Sequence, residues 1–290
     1  MLTYTSRTPS EADIEAIFQL YSSAYPYARD NPRAKERFCS ELSESTSFLC
    51  LDNGTIIGHI SVRQSKKEAM ISRLLVDPNH RRQRIGQQLS QCAVAQFEGK
   101  KMLLQGTPLT HHSYTQQIFL AEECGFHPTK IHLAGAGVDL GAWQIETLVY
   151  IAKLCGINSQ RFVAYVPLEY QDIAQRVLQP FCDLEFGQLQ SEIPTELEQT
   201  LTVELEPMLQ YRMFPLNLDN PFAPTAIAYV QSKGYYCAGF SPRMIKGGQL
   251  TFAAYMARMP EEILHRDRIK VIPAVQPLFD FVWQQYEARK

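Results

Sequence analysis

The sequence predicts a mixed α/β protein built in two parts. Three observations predict it. The stretch Ala69–Phe97 reads as a short apolar strand, a basic turn and an amphipathic helix, with Ile85, Leu89, Cys92, Ala93 and Phe97 as the helix stripe. The residues before it, Ser47 to Val76, read as three antiparallel strands. Asn53-Gly54 makes the first hairpin, because both residues tolerate the positive φ of a tight turn. Finally, Gly156 and Asn158-Ser159 break the pattern after Cys155, and a strand restarts at Phe162.

In chain order, Leu2–Arg7 alternates and reads as a first strand. Ser10-Glu11-Ala12-Asp13 resembles a capping box, and Ile14, Ile17, Phe18 and Tyr21 give the stripe of the helix behind it. Tyr25-Pro26-Tyr27 ends that helix, and a polar helix covers Arg33–Leu42. Ser47–Leu51, Thr55–Gln64 and Ala69–Val76 are the three strands, with Ile56, Ile60 and Val62 expected on one face. Asp77-Pro78-Asn79 stops the third. The helix from Ile85 ends near Gly99-Lys100-Lys101. Met102–Gln105 follows as a strand, which a right-handed crossover places parallel to Ala69–Val76. A helix over Tyr114–Cys124, a strand at Lys130–Ala134, a glycine-rich loop at Gly135–Gly141 and a strand at Ile145–Ala152 close the first part, residues 1–154.

The second part, residues 160–290, opens with strand Phe162–Val166 and a helix over Glu169–Leu178. Thr200–Leu205 and Leu209–Phe214 read as strands around Pro207. A helix starts at Asp219 and ends at Gly234, and Tyr235–Phe240 pairs with Leu250–Arg258 around Lys246-Gly247-Gly248. Phe279, Val282, Trp283 and Tyr286 stripe a last helix. The segments LAEECGFHPTKIHL and YVQSKGYYCAGFSP both read helix, glycine, aromatic, strand.

At 290 residues and 45% hydrophobic content the chain can bury a sizeable core. Net charge is −2, so the Arg81–Arg84 cluster is a local feature, and the balance speaks against a nucleic-acid partner. Seven scattered cysteines, odd in number and without a C-x-x-C pair, argue for a reducing compartment and against a zinc site or disulfide framework. His127, His132 and His265 have no metal-ligand spacing. No apolar run approaches the roughly 20 residues of a membrane helix, and no signal peptide is evident, so a cytoplasmic protein without a membrane partner is expected.

The turn between strand and helix is the chemically informative stretch. A helix N-terminus offers free N–H groups and a positive dipole, and Arg81, Arg82 and Arg84 add charge, so a phosphate group is expected there. The segment V-D-P-N-H-R-R-Q-R-I-G-Q-Q-L resembles the coenzyme loop of the GCN5-related N-acetyltransferase (GNAT) superfamily, with Val76, Pro78, Arg81 and Gly86 on pattern positions. Arg84 stands where the family's first glycine is usual; an arginine fits there if its φ is negative, and adds a phosphate contact. Thr110, His112, Thr115 and Gln116, with Tyr165-Val166-Pro167, are similar to segments of two-part bacterial members, in which a GNAT domain precedes a smaller, partial GNAT-like domain.

The resemblance implies an acyl-CoA-dependent N-acyltransferase with acetyl-CoA as cosubstrate and a small-molecule or peptide amine as acceptor. It places pantetheine on Leu74, Leu75 and Val76, and pyrophosphate on Arg81, Arg82, Gln83, Arg84, Ile85, Gly86 and Gln87. The acid is usually a tyrosine four residues before Gly-Phe; here that position is Ala121, which leaves His112 and Tyr114 as candidates. His59, mid-strand beside the coenzyme strand, and Glu68 are candidate bases. Tyr25, Tyr27 and Asp30 fall where members build the acceptor entrance. Ala121 and Arg84 also suit a non-catalytic acyl-CoA-binding or regulatory protein. The sequence leaves the acceptor's identity and a homodimer open.

Overall fold

The computed structural model describes residues 2–25, 29, 32–108, 118–139, 143–189, 204–245, 248–260 and 264–289. The first part runs β1 (Leu2–Arg7), α1 (Glu11–Ala24), α2 (Pro32–Ser43), β2 (Thr46–Asp52), β3 (Thr55–Gln64), β4 (Glu68–Val76), α3 (Ile85–Ala95), β5 (Met102–Gly106), a π-helical turn (Ile118–Glu123), β6 (His127–Asp139) and β7 (Trp143–Cys155). The second runs β8 (Arg161–Ala164), α4 (Gln171–Leu178), β9 (Asp183–Phe186), β10 (Met213–Asn217), α5 (Ala223–Ser232), β11 (Tyr235–Met244), β12 (Leu250–Arg258) and α6 (Gln276–Glu287).

Local chemistry explains the starts. Ser10 caps α1 by accepting from the Asp13 N–H, Asp13 reaches back to the Ser10 N–H, and Arg7 grips the same carboxylate at 2.8 Å. This fixes where β1 hands over to α1. Asn53 and Gly54 have φ of 48° and 84°, as the β2–β3 turn requires.

One mixed sheet carries both parts, in the order β1-β2-β3-β4-β5-β7-β6-β11-β12-β10. Among the described residues, only β4 and β5 pair in parallel within it; β8 and β9 form a separate two-stranded parallel sheet. The parts meet where β6 and β11 share one register pair, Lys130 with Gly239. Gly239 has φ +129°, and a Cβ there would lie 2.5 Å from the Thr129 carbonyl, so only glycine lets the strands meet.

In the first part, both faces of the sheet are covered. Phe48, Cys50, Ile60, Val62, Ala69 and Ile71 pack in the main core with Ile85 and Leu89 of α3. Leu49 and Leu75 pack in a smaller core with Ile17 and Phe18 of α1 and Phe38 and Leu42 of α2. That is why β2 reads as a continuous apolar run. The main core continues through the β6–β11 joint to α4, α5 and α6. All seven cysteines are free, and among the described residues no helix is long and apolar enough to cross a membrane.

Several sequence expectations change. Ile56 packs in the smaller core, opposite to Ile60 and Val62, because Ile57 is an extra residue in the β2–β3 ladder and reverses the face. The described end of the Tyr114–Cys124 helix is π-helical. Residues 135–139, expected as loop, extend β6 beyond a register shift near Ala134, whose φ is +51°. Glu206–Gln210 is a 3-10 turn around Pro207, and the strand comes later, at Met213–Asn217. Helix α5 starts at Ala223, because the Asn220 side chain accepts from the Phe222 N–H and holds a turn there.

Candidate functional site

The site is built on β4. Its antiparallel ladder with β3 runs from Gln64–Ala69 to Gly58–Val76. Its parallel ladder with β5 stops early, covering only Glu68–Leu103 to Ile71–Gly106. Past Gly106 the chain turns to β7, where the Val149 N–H donates to the Pro108 carbonyl at 3.0 Å. Among the described residues, Ser72–Val76 therefore has no ladder partner on its β5 side. The two strands form a fork, and an extended ligand bearing amide groups can pair with the free edge as a further strand would.

A bulge gives β4 its shape at the fork. The register jumps from His59–Leu75 to Ser61–Ser72, so Arg73 and Leu74 oppose Ile60 alone. The extra residue reverses the alternation: Ala69 and Ile71 face α3, whereas Leu75 faces α1 and α2. Arg73 adopts φ +56°. The Ser61 hydroxyl donates to the Ser72 carbonyl at 3.1 Å. The Arg73 guanidinium pairs with Glu41 of α2 and lies over the Phe38 ring at 5.3 Å. Phe38 stacks on Tyr21 at 4.5 Å, and Tyr21 on Tyr25 at 4.7 Å. An aromatic column thus runs from the bulge to the end of α1.

The loop after β4 is tightly held. The Asp77 N–H donates to the Ile57 carbonyl at 2.8 Å, and the Asp77 carboxylate accepts from the Asn79 N–H at 2.7 Å. Arg82 and Arg84 have φ of 65° and 60°. The negative φ at which an arginine fits without strain is therefore not the one that Arg84 adopts. Arg84 is the N-cap of α3, its carbonyl takes the Gln88 N–H at 3.0 Å, and the chain enters the helix here through the left-handed region. The backbone has kept a glycine's shape with an arginine in it. The Arg81–Arg84 side chains are exposed, and the first N–H groups of α3 face the same loop, giving an anion-binding arrangement.

Close packing aims that helix. Gly58 lies under its first turn, where a Cβ would come within 2.7 Å of Ile85 Cγ2 and 3.1 Å of Leu89 Cδ1.

The residues expected to hold a coenzyme are thus brought together: Leu74, Leu75 and Val76 on the fork, and Arg81–Gln87 around the helix start. The candidate acid–base residues fare differently. His112 and Tyr114, like Tyr27 and Asp30, lie outside the described residues. His59 is sealed in the sheet with 0% exposure. Its Nδ1 lies 3.1 Å from the Arg73 carbonyl and its Nε2 3.2 Å from Ser47 Oγ. Burial pushes the imidazole down to about 3. Its burial and the engagement of both nitrogens among the described residues argue against the role of base expected of it. Glu68 accepts the Met244 N–H at 3.1 Å and ties the two parts together. Ala121 packs against the main core. Sequence reasoning missed Arg73, Glu41 and Phe38, whose roles depend on a bulge that leaves no local signal. It also missed a cavity of about 500 Å³ where β4 and β5 are still paired, lined by Glu44, Arg63, Glu68, Met70 and Gln105.

Comparison with known proteins follows this geometry. Residues 14–126 match the model of the acetyltransferase (GNAT) family. No curated protein matched. Among solved structures, the ribosomal-protein-S18-alanine N-acetyltransferase from Escherichia coli is 18% identical, covering 54% of this chain and 97% of its own, with a TM-score of 0.44. A GNAT family acetyltransferase from Elizabethkingia anophelis with acetyl-CoA bound is 19% identical, covering 53% and 97%, at 0.39. The putative acetyltransferase YncA from Salmonella typhimurium, with its cofactor acetyl-CoA, is 19% identical, covering 54% and 96%, at 0.41.

Proposed function

We propose that the protein, whose residues 14–126 match the model of the acetyltransferase (GNAT) family, is an acyl-CoA-dependent N-acyltransferase that moves acetyl from acetyl-CoA to a primary amine. The observation that carries this reading is the fork beside a glycine-shaped anion loop. One strand edge, Ser72–Val76, is unpaired on its β5 side among the described residues, which suits the pantetheine amides, and it leads directly into the loop proposed to receive the pyrophosphate. In this reading Arg81–Gln87 hold the phosphates. The thioester lies where β4 and β5 part, and backbone N–H groups polarise its carbonyl. The neutral amine attacks the carbonyl carbon, the C–S bond breaks, and the thiolate takes up a proton as the amide nitrogen loses one. His112 and Tyr114 are the proposed proton carriers. The amine belongs to a small molecule or a peptide, and the cavity beside Met70 and Gln105 is its proposed approach.

Residues 160–290 form, in our reading, a partial GNAT-like unit beside the GNAT domain at 1–154. The succession β5, helical turn, β6, β7 repeats as β10, α5, β11, β12. Gly125 and Gly234 both follow the helical element with positive φ. Both inner strands are bulged at matching places, between Pro128 and Lys130 and between Cys237 and Gly239.

Thermal unfolding with acetyl-CoA, CoA or ATP tests the function. A ligand at about 100 times its dissociation constant stabilises the folded state by roughly 2.7 kcal/mol. Stabilisation by acetyl-CoA and CoA but not ATP, with thiol release from acetyl-CoA on adding amines, is expected. No stabilisation by acetyl-CoA removes the coenzyme assignment. Ala121 at the usual acid position favours a second reading, a non-catalytic acyl-CoA-binding protein. It predicts the same stabilisation with no thiol release for any amine.

A further inference from the structure

We propose that His59 is the positioning residue of the coenzyme fork, fixing the β4 bulge through one hydrogen bond to the Arg73 carbonyl. This rests on the acyl-CoA reading of the same fork.

The chemistry fixes the direction of each bond. A carbonyl can only accept, so Nδ1 carries the proton and donates to Arg73 at 3.1 Å. Nε2 is then the acceptor, and the Ser47 hydroxyl donates to it at 3.2 Å. Arg73 is the residue that needs holding. It sits at φ +56°, where a side chain is strained, at the step where the β3–β4 register jumps and just beyond the last β4–β5 pair. A bulge leaves a carbonyl without its ladder partner, and a buried carbonyl must find another. The His59 ring, with 0% exposure, supplies that partner from inside the sheet. Without it, β4 gains by re-pairing in regular register. That would turn Leu75 out of the smaller core and reverse which N–H and C=O groups Ser72–Val76 present on the edge where pantetheine pairs. Burial keeps the imidazole neutral, so the pin does not titrate near neutrality.

Asparagine and glutamine separate the two ring nitrogens. The Asn amide nitrogen falls near Nδ1, and that of Gln near Nε2. In the full-length protein, His59→Asn keeps the bond to Arg73, and its acetyl-CoA dissociation constant stays within about threefold of wild type. His59→Gln loses the bond and weakens acetyl-CoA about tenfold or more, as expected for a buried carbonyl left unpaired. Hydrogen exchange at residues 72–76 stays at the wild-type rate in the Asn variant and accelerates in the Gln variant. Imidazole ¹⁵N spectra of the wild type show the Nδ1–H tautomer, unchanged from pH 5 to 8. Equal coenzyme affinity and equal exchange in the two variants overturn the proposal, and so does an Nε2–H tautomer. The spectrum decides even where the Gln variant does not fold. A wild type that does not bind acetyl-CoA overturns the functional reading instead, and the exchange rates and the tautomer still decide whether His59 pins the bulge.

Discussion

Arg84 shows a single residue keeping a backbone shape its side chain opposes. Its φ of 60° costs a non-glycine residue on the order of 1–2 kcal/mol. Glycine there removes the clash but adds freedom to the unfolded chain, roughly 0.5–1 kcal/mol. Arg84→Gly should therefore raise stability by about 1.5 kcal/mol at most. Arg84→Ala, which keeps the Cβ, should give no gain. Urea unfolding of both variants checks this, and equal midpoints would mean that the left-handed turn carries no strain. The identity of the loop was legible because Val76, Pro78, Arg81 and Gly86 are local in sequence. Its conformation was not, because the residue at the left-handed position is not the one that usually marks it.

At the scale of elements, β4, its loop and α3 act as one unit, and Gly58 sets their spacing. Gly58→Ala puts a methyl 2.7 Å from Ile85 Cγ2, a branched atom that cannot swing aside, and 3.2 Å from Cys50 Cβ. Overpacking of this kind costs about 1–3 kcal/mol, and α3 can escape only by lifting its N-terminus off the sheet. The variant should lose stability and acetyl-CoA affinity together. Ile85→Ala in the same chain should restore part of both, a coupling that a double-mutant cycle reads directly. Loss of stability with no coupling would place the strain elsewhere. The periodicity of α3 and the Asn53-Gly54 hairpin were legible because each is encoded within a few residues. The bulges at Ile57 and Arg73 were not. A bulge is a relation between two strands, and His59, which answers one of them, reads by itself as a catalytic histidine. The same blindness put Ile56 on the wrong face.

Across the whole molecule, one row of the sheet joins the two parts: Tyr150, Lys130, Gly239 and Tyr255, on four adjacent strands. Gly239 leaves the space through which the parts meet. The Lys130 ammonium lies 4.3 Å from the centre of the Tyr150 ring and 3.9 Å from that of Tyr255, so one cation is shared by a tyrosine from each part. No sequence pattern announces this row, because its members come from distant segments.

The environment of Lys130 has a cost that depends on pH. The residue is 5% exposed, and burial pushes it down to about 7 from an ordinary 10.5, with Glu68 opposing the shift and Arg243 adding to it. Between these values the unfolded chain holds a proton that the folded chain has released, so the contribution of Lys130 to stability should rise with pH across that range. Above pH 10 the trend reverses, because burial raises Tyr150 to about 12 and also raises Tyr255, so the folded chain then holds the extra protons. The informative window is therefore pH 7 to 9.5. Lys130→Met keeps the length and packs between the same rings but cannot titrate. The cysteine thiols that burial raises act on both chains alike, so the difference in stability between the two should be greatest at pH 7 and shrink toward pH 9.5. Parallel profiles would show that the tyrosine rings hold the ammonium charged throughout, and that the seam between the two parts is a fixed cation–aromatic joint with no sensitivity to pH near neutrality.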